Sequence, residues 1–97
     1  VSRYRILEAA AEELEQAAIF YQEASDSLGQ DFIDEFESTM ERVLHMPEAW
    51  AAFDPEYRRC LFRRFPFALV YRIEAGVVIV TSVFHQKRRP NSWRDNV

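Results

Sequence analysis

The sequence predicts an α+β fold: an N-terminal helical hairpin packed on one face of a small antiparallel β-sheet. Three observations predict it. Apolar residues recur at steps of three and four over residues 9–46, the period of amphipathic helices. The pattern then gives way to β-branched and aromatic runs over residues 58–85. Finally, 97 residues suit one domain, and 48% hydrophobic content with only 2 glycines argues against disorder. Helices followed by strands, rather than alternating with them, give α+β rather than α/β.

Each element has its own signal. Residues 4–7 read weakly as a short first strand. From about Ala9, the residues Leu14, Ala17, Ala18, Tyr21, Ala24 and Leu28 line one helical face, and Glu12, Glu13, Glu15, Gln16 and Glu23 fall on a solvated one. "SDSLGQ" breaks the pattern. Ser27 with Gln30 three residues on reads as a capping box for a second helix, with Asp31 in its first turn. Phe32, Ile33, Phe36, Met40, Val43 and Leu44 form that helix's stripe to about His45, and Pro47 stops it. So short a break makes the two helices antiparallel neighbours. Residues 47–57, "PEAWAAFDPEY", read as a linker pinned to the core by Trp50 and Phe53. Residues 58–65, "FALVYRIE" (67–74) and "VVIVTSVFH" (77–85) read as strands, with Ala75 and Gly76 as a tight hairpin turn. A basic tail covers 86–97. The whole is one domain, 1–97.

Charge is divided along the chain. Residues 1–57 carry 3 Arg against 14 Asp or Glu, a balance of −11; residues 58–97 carry 9 Lys or Arg against 2 acids, a balance of +7. Two readings fit: the basic half meets an anionic partner, or the halves attract each other. Cys60, the single cysteine, has no partner for an internal disulfide and reads as a small buried hydrophobe in a reducing, cytoplasmic setting. No apolar run reaches the roughly 18–20 residues of a membrane span.

The common catalytic signatures are missing. There is no Gly-rich phosphate loop, HExxH, CxxC or GxSxG, and the 2 histidines, His45 and His85, stand in different elements. No metal or cofactor is expected. What remains is arginine on strands. Alternation places Arg59, Leu61 and Arg63 on one face, with Cys60, Phe62 and Arg64 on the other. In the next strand Ala68, Val70 and Arg72 share a face. The tail "HQKRRPNSW" adds Lys87, Arg88 and Arg89, with Trp93 after a proline turn. Guanidinium groups match carboxylate and phosphate geometry, and cation beside aromatic suits stacking. Arg59, Arg63, Arg64, Arg72, Lys87, Arg88, Arg89 and Trp93 are therefore the candidate residues for holding a target or partner. The competing reading is surface charge paired with the acidic helices.

Four stretches together resemble the RelE/ParE superfamily of bacterial type II toxins, often labelled plasmid stabilisation proteins. They are "AEELEQAAIFYQ", "FIDEFESTMERVLHMP", "RRFPFALVYRI" and "VFHQKRRPNSW", and the likeness spans residues 4–93. The resemblance implies a compact cytoplasmic toxin neutralised by a cognate antitoxin that wraps it. It also implies one of two activities. RelE-like members cut mRNA on the ribosome; ParE-like members inhibit DNA gyrase and are not nucleases. The residues favour the second branch. RelE-like chains carry an arginine where Ala68 stands, and its transition-state electrostatics are beyond an alanine. Arg59 and Leu61 stand where they place lysines, and Leu61 is unable to serve; Trp93, near their late tyrosine, has no hydroxyl for proton transfer. If the chain is instead a ribosome-dependent endonuclease, the resemblance leaves His85, Arg88 and Arg89 as its site. A third reading is a non-toxic member that keeps only antitoxin binding. Self-association is left open.

Overall fold

The structure is a computed structural model and describes residues 3–87. The expected calls on Arg88, Arg89 and Trp93 lie outside the described residues. Seven elements follow in order: β1 (Tyr4–Ile6), α1 (Glu8–Ala24), α2 (Asp26–His45), β2 (Ala51–Asp54), β3 (Tyr57–Leu61), β4 (Phe67–Glu74) and β5 (Val77–His85). The strands form one five-stranded sheet in the order β1-β5-β4-β3-β2. The two helices cover one of its faces, giving the expected α+β architecture.

Two features depart from the sequence reading. The sheet is mixed, because β1 runs parallel to β5, pairing Tyr4 with Val78 and Ile6 with Val80. Which strand a short N-terminal segment joins is a long-range choice that local periodicity does not encode. The linker also carries β2, an edge strand antiparallel to β3 with an irregularity between Ala52 and Asp54. "AAFD" has too little alternation to announce itself.

The helix junction is tighter than a capping box would make it. Ser25 alone separates the helices, in an extended conformation; its N–H closes α1 on the Tyr21 carbonyl, and its own carbonyl accepts from Leu28 N. Ser27 and Gln30 therefore lie inside α2, and Gln30 Nε2 donates to Asp34 instead. Asp26, not Asp31, is the acid in the first turn. Close contact of the helices needs a missing side chain. A Cβ on the buried Gly29 would stand 2.8 Å from the Cβ of Gln22 and 3.2 Å from the Ala18 carbonyl oxygen.

The core lies between the helices and the sheet. From the helices come Ala10, Ala17, Phe32, Phe36, Met40 and Val43; from the strand region come Cys60, Phe62, Phe67, Leu69, Tyr71, Val78, Val80 and Val83. Phe32 is its hub, with ring centroids 4.9 Å from Phe67, 5.1 Å from Phe65 and 5.4 Å from Tyr21. Complete burial of such a ring stabilises by about 2–3 kcal/mol. Strands β4 and β5 join through Ala75 and Gly76, both at positive φ, as the hairpin demands. Further along, β5 bulges: Tyr71 opposes Val80 but Val70 opposes Ser82, so Thr81 is the extra residue.

Candidate functional site

The basic strand residues do not form one uninterrupted surface. They divide between places that the sheet and α2 determine. Alternation along β3 turns Cys60 into the core and leaves Arg59 and Leu61 exposed, as expected. Beyond β3 the chain bends, and Arg63 and Arg64 leave it in different directions. Arg59 and Arg63 converge with Arg42, Trp50, Ala51 and Leu61 on a hollow of about 430 Å³ at the open end of β3. This hollow is the candidate site. Its apolar floor and cationic rim suit an anionic group carried on an apolar or planar body.

A buried polar network holds the hollow in shape. Arg42 comes from α2, and its Nη2 donates to Thr39 Oγ1 at 3.1 Å and to the Leu61 carbonyl at 3.2 Å. Glu35, one turn further back, lies 3.8 Å from the same nitrogen and accepts the Arg63 backbone N–H at 2.6 Å. Trp50 completes the frame: its indole N–H donates to the Arg42 carbonyl, and the Arg42 guanidinium sits 5.6 Å over its ring. The Nε of Arg42 is buried with no hydrogen-bond partner among the described residues. Arg59 lies 5.6 Å over the Phe53 ring, which aims it along the sheet edge. Cys60 sits behind the hollow; burial pushes its thiol up, against the opposing pull of Arg42 and Arg63.

The other candidates stand apart. Arg64 turns back to α2 and pairs with Asp31 at 3.4 Å, while its guanidinium stacks on Phe65. Arg72 shares the outer face with Arg59 but is paired with Glu74 at 3.3 Å. It lines a second hollow, of about 330 Å³, with Arg58 and Glu56. Arg58, not among the expected residues, donates to the Glu48 and Trp50 carbonyls and so fixes the entry to β2. His85 and Lys87 lie at the far end of β5. The His85 ring packs on Phe67, on the helix side of the sheet and opposite the face of Arg59, and its Nδ1 accepts from Lys87 N.

Sequence reasoning missed two contributors to the hollow, Arg42 and Glu35, and one acid bonded elsewhere, Glu13 of α1. Helical periodicity puts acids and bases of α1 and α2 in solvent. Yet Glu35 keeps only 10% of its side chain exposed, and Glu13 accepts hydrogen bonds from Ser82 Oγ at 3.0 Å and Val83 N at 2.9 Å. A signal existed for Arg42 alone: it stands three residues after the buried Thr39, beside the apolar stripe.

The family model described as "ParE toxin of type II toxin-antitoxin system, parDE" matches residues 4–90. The chain belongs to the ParE toxin family. Solved structures agree on the fold. A chain of the chromosomal ParDE toxin–antitoxin system from P. aeruginosa superposes with a TM-score of 0.76 at 12% identity, covering 87% of this chain and 95% of that one. A substituted E. coli toxin RelE in the free state gives a TM-score of 0.60 at 17% identity, covering 98% of this chain and 92% of that one. No curated sequence relative matches. For this ParE-family chain, then, the two helices and the mixed sheet are the fold it shares with these solved structures. No helix of the described residues is long and apolar enough to cross a membrane.

Proposed function

We propose that the protein is the toxin of a type II pair, that it acts in the cytoplasm by inhibiting DNA gyrase, and that a cognate antitoxin neutralises it. The observation that supports inhibition by binding is Ala68. It is 1% exposed, on the sheet face away from the helices. The RelE/ParE resemblance puts a phosphate-binding arginine of the nucleases there. Here that position is packed and uncharged, and Leu61 beside it in register is apolar. His85 lies on the opposite face from Arg59, and Arg88 and Arg89, which the endonuclease reading would join to it, lie outside the described residues. The hollow of Arg42, Arg59 and Arg63 is then a docking surface rather than a reaction centre.

Purified protein added in parallel to a gyrase supercoiling assay and to a translating extract tests the reading. Blocked supercoiling with intact mRNA is expected. Cleaved mRNA would replace it with the endonuclease reading, and no effect in either would leave a member that only binds antitoxin.

A further inference from the structure

Two of the five arginines on β3, β4 and the bend between them have guanidinium groups that make no hydrogen bond among the described residues. Arg58 donates to the Glu48 and Trp50 carbonyls, Arg64 pairs with Asp31, and Arg72 pairs with Glu74. Arg59 and Arg63 are the two left over. Both line the hollow of about 430 Å³, and no acid shares its wall. Arg42 stands behind them, but Glu35 lies 3.8 Å from its Nη2 and offsets its charge. The charges of Arg59 and Arg63 are therefore left without a counter-charge in the hollow.

A further hollow, of about 610 Å³, adjoins the first, and Arg42, Trp50 and Arg63 line both. Its character differs. Met46, which is 56% exposed, and Ala49 give it apolar surface, while Ser38, Glu41 and His45 supply polar groups. The Trp50 indole stands at the join, held there by its N–H on the Arg42 carbonyl. Such a mixture suits a flat heterocycle, apolar on its faces and polar round its rim. Glu41 also sets a direction: an anionic group is repelled from this end and drawn to Arg59 and Arg63 at the other.

We propose that the two adjoining hollows bind a nucleoside monophosphate, with its phosphate held by Arg59 and Arg63 and its base beside Trp50, Met46 and Ala49. A phosphate monoester carries about −1.5 to −2 charges at neutral pH and three terminal oxygens, so it meets both guanidinium groups at once. A carboxylate carries one charge and leaves the second guanidinium without an equal partner. An acidic peptide also brings no flat heterocycle to the Trp50 end. Inorganic phosphate fits only the cationic hollow, and a free nucleoside only its neighbour, so each has half of the recognition. The cationic hollow is the surface proposed above for docking a target, but the nucleotide site stands whether or not that target is gyrase.

Isothermal titration calorimetry on the whole chain at low salt tests this. The probes are the four ribonucleoside monophosphates, their nucleosides, ribose 5-phosphate, inorganic phosphate, an oligothymidylate without terminal phosphates, and a peptide alternating Glu with Phe. The tightest monophosphate should bind roughly tenfold or more tightly than its own nucleoside, ribose 5-phosphate or inorganic phosphate. Added salt should weaken the monophosphate and leave the nucleoside unchanged. Arg59→Ala and Arg63→Ala should each weaken the monophosphate by about tenfold, whereas Arg64→Ala, whose charge is spent on Asp31, should not. The Trp50 indole resonance should shift on binding. The proposal is overturned if no monophosphate binds, or if inorganic phosphate or ribose 5-phosphate binds as tightly, since the Trp50 end then plays no part. It is overturned equally if Arg64→Ala costs as much as Arg59→Ala, or if the Trp50 resonance is unmoved. An oligothymidylate or acidic peptide that outbinds every monophosphate would make nucleic acid or protein the occupant, and would overturn it too. The probes on the unaltered protein decide the matter even if a variant unfolds. Gyrase enters none of these measurements, so the nucleotide site and the toxin reading fail separately.

Discussion

Phe65 is the residue where backbone and side chain disagree most. Its φ of 30° lies in the region that side chains avoid, and Pro66 follows it. The ring explains why it stays there: its centroid lies 4.6 Å from Tyr21 and 5.1 Å from Phe32, tilted and edge-on, near the joined end of the helical hairpin. Substitution separates the two terms. Phe65→Ala loses the ring and keeps the strain, whereas Phe65→Gly loses both. Glycine should therefore be the more stable of the two by about 1 kcal/mol in urea unfolding, the reverse of the usual order. If alanine is the more stable, the turn is not strained. Tyr71 makes a second prediction. It is fully buried, its hydroxyl donates to the Pro47 carbonyl at 2.5 Å, and burial pushes its pKa from 10.0 up to about 12. The folded chain keeps this proton where the unfolded chain has lost it. Stability from this group is thus intact below pH 10 and is lost as the pH rises towards 12. Tyr71→Phe should flatten that decline relative to the unaltered protein in alkaline denaturation.

Among the elements, the helical hairpin depends on Gly29 and the α2–β3 junction on Arg42. Alanine in place of a helical glycine normally stabilises by about 1 kcal/mol. Here the added Cβ meets the Cβ of Gln22 at 2.8 Å, an atom fixed to its backbone. Gly29→Ala should reverse the sign and cost about 1–3 kcal/mol, read from thermal or urea unfolding. Arg42→Met keeps the stem and deletes the bonds to Thr39 and Leu61, leaving Glu35 nearly buried without its cation. The expected loss is about 3 kcal/mol; a loss within the roughly 0.5 kcal/mol of an ordinary surface change would mean the network holds nothing together. The helices were legible because their stripes, their acids and Pro47 all point one way. The last hairpin was legible because β-branched runs flank Ala75 and Gly76. β2 was not, since its four residues carry no pattern of their own. The Ser27 capping box failed because Ser25 already supplies the carbonyl that starts α2.

At the scale of the whole molecule, the division of charge is real but does not sort into two opposed faces. Arg64 pairs with a helix carboxylate, so part of the basic half is consumed in holding the halves together. Arg59 and Arg63 stay exposed at the edge hollow. Alternation revealed them, while the frame beneath them was hidden, because Glu35 and Arg42 become a network only when α2 meets the end of β3. If the chain inhibits gyrase as proposed, reversing both charges, Arg59→Glu with Arg63→Glu, should weaken that inhibition by roughly tenfold or more, with thermal stability unchanged, because exposed rim charges act on association rather than folding. Inhibition that survives the reversal would move the docking surface elsewhere.

The pairing of Tyr4 with Val78 also sets a schedule for biosynthesis. The first strand of the sheet has no neighbour until the last one emerges from the ribosome. Throughout translation, therefore, α1 and α2 can form while the β1 segment waits unattached, and the five-stranded sheet closes only once residues 77–85 have emerged. A chain stopped before residue 77 therefore lacks the partner that ties β1 into the sheet.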